Sequence, residues 1–244
     1  MPDITVVLTA HREGVLAGPT ARSACAAIEH ARSSRGLSIE VIVVLDRPTR
    51  DTRQVLEHGL SRLQEVPVRV LDVETGDPGQ SRNIGIAEAA GSCSTFLDGD
   101  DLWSQNWLSA AWDLIEARPD AVAQSMCNVV FGEYTALWWH VDSESGLFDP
   151  DYLGWANYWD AMSFARTDIY RRFPFKANDL KLGFGHEDWH WSVVTYQAGI
   201  AHKPVPGTIH FKRRRSGSQM SLVESAGGVV WPSGPLKDLS DERA

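Results

Sequence analysis

The sequence predicts an α/β protein: a mixed, mainly parallel sheet flanked by helices and built as a single domain. Three observations predict it. Short apolar runs alternate four times with helix-patterned segments over residues 1–118, the order that lays a parallel sheet between helices. The runs are β-branched and nearly continuous, as expected of strands buried on both faces. Three of the four stop at polar clusters, and ligands of such sheets bind at the carboxyl ends of strands.

Taken in order, Ile4–Thr9 (ITVVLT) reads as a buried strand and the Ala-rich stretch Thr20–Ala31 as a helix. Ile39–Leu45 is a second strand that stops at Asp46, and Arg50–Leu63 is helical in pattern. Val66–Val73 is a third strand, with Pro67 near its start where a missing N–H is tolerated. Gln80–Ala90 is a helix entered through Asp77-Pro78-Gly79 and left at Gly91. Cys93–Leu97 is a fourth strand, stopped by Asp98-Gly99-Asp100-Asp101, and Leu108–Ala117 is a helix that ends before Pro119. After Val129 the alternation breaks down. A helix is expected from near His186, the stretch 210–221 is basic, and residues 223–244 read as a polar C-terminal tail. The second half is expected to elaborate the same domain, which closes at residue 222.

Composition narrows the function. The 244 residues carry 43% hydrophobic and 23% charged side chains, enough to bury a sizeable core. A formal charge of −9 argues against general nucleic-acid binding, which needs a basic face. No apolar run approaches the roughly 20 residues of a membrane span. The start, Met1-Pro2-Asp3, lacks the basic region of a signal peptide. Three cysteines without metal-type spacing read as reduced thiols, so a cytoplasmic location is expected.

Four segments carry candidate chemistry. Asp98-Gly99-Asp100-Asp101 packs three carboxylates into four residues at a strand end. Hard oxygens that repel one another suit Mg²⁺ or Mn²⁺ with phosphate, the plainer reading being an acidic turn capping the next helix. Asp77–Asn83 opens a helix, so Arg82 in its first turn can reach a phosphate or a carboxylate of the acidic turn. His186-Glu187-Asp188-Trp189-His190 matches the H-E-x-x-H zinc pattern but shows no third ligand at a known spacing. It also reads as a helix start bearing a general base, Asp188 or Glu187; neighbours on a helix point about 100° apart, so only one can face a reacting atom. Arg213-Arg214-Arg215 in an acidic chain reads as a cationic loop able to clamp a diphosphate, or as a solvated charge run. Of the ten tryptophans, Trp103, Trp107, Trp112 and Trp191 fall on helical stretches and read as core. Trp138, Trp139, Trp155 and Trp159 lie in irregular acidic sequence, where flat rings and carboxylates suit a sugar or fill a lid core.

In order and spacing these segments resemble the family 2 glycosyltransferases of the GT-A fold, from Ile4 to about Leu222. Thr9-Ala10-His11-Arg12-Glu13 resembles the family's Pro-Thr-Tyr-Asn-Glu, and Asp77–Asn83 with Gly85 its Gly-x-Ser-x-Ala-Arg-Asn-x-Gly. Phe96–Asp101 resembles Phe-Leu-Asp-x-Asp-Asp, Gly185–Trp189 resembles Gly-Glu-Asp-Trp, and Arg213–Ser221 the final Arg-rich, Gly-Ser-x-Met-Ser loop. The resemblance implies a nucleotide-sugar half, 1–118, and an acceptor half, 119–222, with the catalytic base. His11 and Asp46 would hold the base, Arg82 the base or ribose, and Asp98 the ribose. Asp100, with Asp98, would hold the cation. Thr9, Ala10, Glu13, Gly99, Arg214 and Arg215 would complete the donor site. Trp138, Trp139, Trp159, His186 and Glu187 would meet the acceptor, and Asp188 would be the base. His11-Arg12 and Asp46-Arg47-Pro48 depart from the family pattern, leaving UDP, GDP and dTDP all open.

The expected function is a metal-dependent, inverting transfer of a sugar from a nucleotide-diphosphate donor to an acceptor hydroxyl, in polysaccharide or glycoconjugate synthesis. A carbohydrate or a glycolipid is the expected acceptor, the latter reached by peripheral docking at the inner face of a membrane. The rivals are a sugar-nucleotide or glycan-binding module without turnover, a nucleotidyltransferase, and a zinc protease.

Overall fold

The computed structural model describes residues 1–215 and 217–233. The first half follows the expected alternation. Strands β1 (Ile4–Ala10), β2 (Ile39–Asp46), β3 (Val68–Val73) and β4 (Cys93–Asp98) run parallel in the order β3-β2-β1-β4. Every residue of β1 and β2 is buried, which explains their unbroken apolar reading. Helices α1 (Ala17–Arg35), α2 (Arg50–Leu60) and α3 (Pro78–Glu88) connect them, and α4 (Trp107–Ala117) follows β4.

Side-chain alternation along β1 splits the core into two layers. Ile4, Val6 and Leu8 face α1, α2 and α4, with Ala17, Ala21, Ala24 and Ile28 filling the α1 side. Val7 faces the other way with Ile42 and Val44, against α3, helix α5 (Thr167–Arg172) and Trp191 of helix α6 (Glu187–Gln197). Gly85 lets α3 lie directly on the sheet: a Cβ there would sit 2.4 Å from Val7 Cγ1.

The second half extends the same sheet instead of forming a separate unit. After the short β5 (Leu102–Trp103) come β6 (Ala121–Gly132), β7 (Ala136–Trp139), β8 (Phe164–Arg166), β9 (Phe184–Gly185) and β10 (Ala201–Arg214). The full order is β3-β2-β1-β4-β8-β6-β10-β5, with β7 paired to β6. β8 is antiparallel to both neighbours, and β10 runs parallel to β6.

The expected domain boundary at 222 is corrected. Helix α7 (Gln219–Ser225) runs across it, and β11 (Val229–Val230) pairs with β9. Val223 is buried against Gly185 and Gly228, and Trp231 stacks on Phe184 at 4.0 Å. Residues 223–233 are therefore part of the fold, and the rest of the expected tail lies outside the described residues. Among the described residues no helix is long and apolar enough to cross a membrane.

Candidate active site

The carboxyl ends of β1, β2 and β4 meet at one rim. Parallel register brings Thr9 opposite Asp98, and Thr9 Oγ1 donates to Asp98 Oδ1 at 3.0 Å. Next to them the chain turns tightly through Gly99, where a Cβ would stand 2.9 Å from that of Ala10. Thr20 of α1 donates to the Gly99 carbonyl at 3.0 Å, tying the acidic turn to the core. The turn does not cap α4: the N-cap is Asn106, whose side chain donates to the Gly207 carbonyl.

Arg82 joins the two halves. It is buried in the first turns of α3, with Nη2 2.8 and 2.9 Å from the two Asp98 oxygens and Nη1 2.9 Å from Glu187 Oε1. α3 is capped by Asp77, which accepts from Gln80 N at 2.8 Å. Asn178 Nδ2 donates to both Asp77 and Glu187 at 3.0 Å. Burial works against the charge on Asp98, but Arg82 and then Lys212 outweigh it and hold the carboxyl below its usual range.

α6 starts beside this bridge. His186 turns the chain in the left-handed region at φ 59° and serves as N-cap, so Glu187 and Asp188 occupy the first turn, where acids are favoured. They diverge as helical geometry requires. Glu187 goes to Arg82 and Asn178. Asp188 is half-buried, and burial together with the neighbouring Glu187 charge pushes it up to about 6, against the pull of Lys212 and Arg82.

The other side of the rim is built from the ends of β1 and β2. His11 Nδ1 donates to the Asp46 carbonyl. Asp46 Oδ2 accepts from Thr75 Oγ1 and Gly76 N, both at 2.7 Å, while its buried Oδ1 accepts no hydrogen bond among the described residues and lies 4.0 Å from Arg47 Nε. Glu13 accepts from His11 N at 2.7 Å and lies 3.5 Å from Arg215; burial raises its carboxyl. Arg215 Nε donates to Asp100 Oδ2 at 2.6 Å. Asp101 accepts from Arg213 N at 2.6 Å, and burial pushes it up to about 8.

Thr9, Ala10, His11, Glu13, Asp46, Arg82, Asp98, Gly99, Asp100 and Arg215 thus come together, with Glu187 joined to them through Arg82 and Asp188 next to it in the first turn of α6. Three expectations are corrected. Arg213 and Arg214 end strand β10 instead of lying in a loop, and Arg214 Nε donates to Tyr134 Oη, not toward Asp100. Trp159 is fully buried, stacks on His202 at 4.1 Å and donates to the Val141 carbonyl, so it is core and not an acceptor contact. Glu187 is spent on Arg82 and Asn178, leaving no carboxylate for an acceptor. Trp138 is half-buried and Trp139 exposed on β7, and His186 sets its ring edge on Trp189. Lys212 and Asp160 were missed at this site; a period-two reading of 208–212 would have placed Lys212 on the same face as Thr208 and His210, opposite Arg213.

The residues present suit a divalent cation at Asp100. Its carboxylate is bound by one guanidinium, whereas both oxygens of Asp98 already accept from Arg82. Among the described residues no three His, Cys, Asp or Glu side chains form a closed metal shell. An ion here would take its remaining ligands from phosphate and water, as Mg²⁺ and Mn²⁺ readily do.

Comparison with known proteins gives the family and the fold. Residues 5–178 match the model of glycosyl transferase family 2, and the chain belongs to that family. It is 30% identical over 122 residues to glycosyltransferase GlyG of Streptococcus pneumoniae, covering 50% of this chain and 36% of that protein. It is 34% identical over 77 residues to the poly(ribitol-phosphate) β-N-acetylglucosaminyltransferase TarS of Staphylococcus aureus, covering 32% of this chain and 13% of that one. The chain thus spans little more than a third of these relatives at most. The fold is shared with the structure of TarS in complex with UDP-GlcNAc, at a TM-score of 0.63 and 18% identity over 90% of this chain and 60% of that one. It is also shared with the mannosyltransferase PcManGT of Pyrobaculum calidifontis in complex with GDP-Man and Mn²⁺, at 0.62 and 15% over 89% and 58%.

Proposed function

We propose that this chain transfers a sugar from a nucleotide-diphosphate donor to an acceptor hydroxyl, with inversion, in the assembly of a polysaccharide or glycoconjugate. One observation carries the reading: a carboxylate raised to about 6, Asp188, begins a helix that Arg82 and Glu187 tie to the acidic rim at Asp98. A base poised near neutrality across from a phosphate-suited rim is what a single displacement needs.

Asp188 takes the proton of the acceptor hydroxyl as its oxygen attacks the anomeric carbon. The bond from that carbon to the diphosphate breaks, and its electron pair leaves on the phosphate oxygen. Arg215 moves its charge from Asp100 and Glu13 to the departing diphosphate. A divalent cation, held by Asp100, would supply further positive charge for that leaving group. Relatives of similar fold bind UDP-GlcNAc, or GDP-Man with Mn²⁺, which supports this donor class.

The nucleoside is narrowed by Asp46. A carboxylate oxygen only accepts, and Oδ1, which accepts no hydrogen bond among the described residues, suits a base that offers a ring N–H. Uracil, thymine and guanine have one; cytosine does not. Thermal-shift titration with UDP, dTDP, GDP and CDP, each with Mn²⁺, tests this. One of the first three should raise the melting point, by the equivalent of about 2.7 kcal/mol at a hundredfold excess over Kd. CDP should not. Radiolabelled donors then test transfer: Asp188→Asn should keep nucleotide binding and lose about 10²- to 10⁴-fold in turnover. Wild-type turnover in that variant would remove Asp188 from the reaction.

A further inference from the structure

Asp46 ends β2 with one carboxylate oxygen saturated and the other without a hydrogen bond. The residue is buried. Oδ2 takes the Thr75 hydroxyl and the Gly76 N–H at 2.7 Å each, with Ser81 Oγ at 3.4 Å. Two oxygens share about four lone-pair positions, so two short bonds fill Oδ2. Oδ1 accepts no hydrogen bond among the described residues. A buried acceptor in that state costs free energy that a ligand N–H recovers.

Arg47 stands beside the open oxygen. Its backbone lies in the left-handed region at φ 49°, which a residue other than glycine adopts only where its surroundings impose it. The imposing contacts are short: Arg47 N donates to the Val73 carbonyl at 3.0 Å, and Nη2 donates to the Glu74 carbonyl at 2.7 Å. Gly76 makes the room, since a Cβ there would lie 2.8 Å from Arg47 Nη1. Nε is thereby held 4.0 Å from Asp46 Oδ1, near enough for charge attraction but beyond hydrogen-bond reach. The pair presents an acceptor and, next to it, a donor.

Uracil and thymine carry a ring N–H between two carbonyls. Guanine carries its ring N–H between a carbonyl and an amino group. We propose that Arg47 is a specificity-determining residue: Asp46 Oδ1 accepts the ring N–H while the Arg47 guanidinium donates to a flanking carbonyl, so that the donor is a uracil or thymine nucleotide. Guanine fits this edge less well. Its amino group needs a second acceptor beside the first, and Oδ2 is already filled by Thr75 and Gly76. This inference deepens the donor reading and rests on it.

Isothermal titration of the full chain with UDP, dTDP and GDP, each with Mn²⁺, is the first test. UDP or dTDP should bind at least about tenfold tighter than GDP, the cost of one stranded amino donor. N3-methyl-UDP, which lacks the ring N–H, should bind about tenfold more weakly than UDP. 2-Thio-UDP and 4-thio-UDP each replace one flanking carbonyl oxygen with sulfur, a weaker acceptor. One of them should bind the wild type about three- to tenfold more weakly than UDP, and should match UDP in Arg47→Met. Arg47→Gly, which suits the left-handed backbone, carries the same comparison should the Met variant fail to fold. GDP binding as tightly as both pyrimidine nucleotides overturns the inference and leaves the donor reading standing. A sulfur penalty undiminished in a folded Arg47 variant overturns it as well. If none of the three nucleotides binds, the donor reading fails and this inference falls with it.

Discussion

Asp188 shows what burying an acid beside another acid does to stability. Its folded pKa of about 6 lies above the ordinary carboxylate value of 3.8. The folded chain therefore holds this proton more tightly than the unfolded chain, and stability falls as pH rises from about 4 to 6. Above that window the penalty is complete. Asparagine carries no such charge, so Asp188→Asn should melt higher than wild type at pH 7.5, with the difference vanishing below about pH 4. Melting curves across that range check the sign. Arg82 is the opposite case. Arg82→Leu would strand Asp98 and Glu187, and urea denaturation should show a loss of about 3–5 kcal/mol. Arg82→Lys should not restore it, because two separate nitrogens serve the two carboxylates.

At the level of elements, the parallel strands were legible because burial on both faces leaves a continuous apolar signature. β1, β2 and β4 each began where the residues said and stopped one residue later than expected. The strands of the second half were hidden for identifiable reasons. β10 contains Pro204, Pro206 and Gly207, and its register shifts between Val205 and Ile209, so no clean alternation survives. β6 buries polar Gln124, Ser125 and Asn128, which breaks its apolar run. Trp159 misled for a related reason: its surroundings in sequence are polar, yet Phe148, Tyr158 and His202 enclose it in space. The contact of α3 with β1 gives a test at this scale. A methyl at Gly85 would overlap Val7, so Gly85→Ala should lose about 1–3 kcal/mol in urea denaturation, although alanine favours helix. A neutral or stabilising result would mean that α3 can lift from the sheet without loss.

Across the whole molecule, one sheet carries both halves, and the chain beyond residue 222 closes over the segment that leads into Asp188. Val223 seats on Gly185, and β11 extends β9. The three cysteines are dispersed through this body and buried as free thiols, with Cys93 pushed up to about 11 by burial. A thiol reagent such as DTNB should label none of them in the native protein and all three in guanidinium, with or without prior reductant. Rapid native labelling would mean that the sheet opens locally.

By itself the sequence determined the parallel sheet, the acidic rim and the helix that presents Asp188. These are written in short, contiguous stretches whose burial and turn chemistry are local. Only the tertiary structure decided which charge meets which: Arg82 bridging residues 98 and 187, Asp160 behind Lys212, and Arg214 turned away to Tyr134. Those pairings join positions far apart in the chain. A buried charge is held by whichever opposite charge the fold brings within a few ångströms, and linear spacing does not carry that distance.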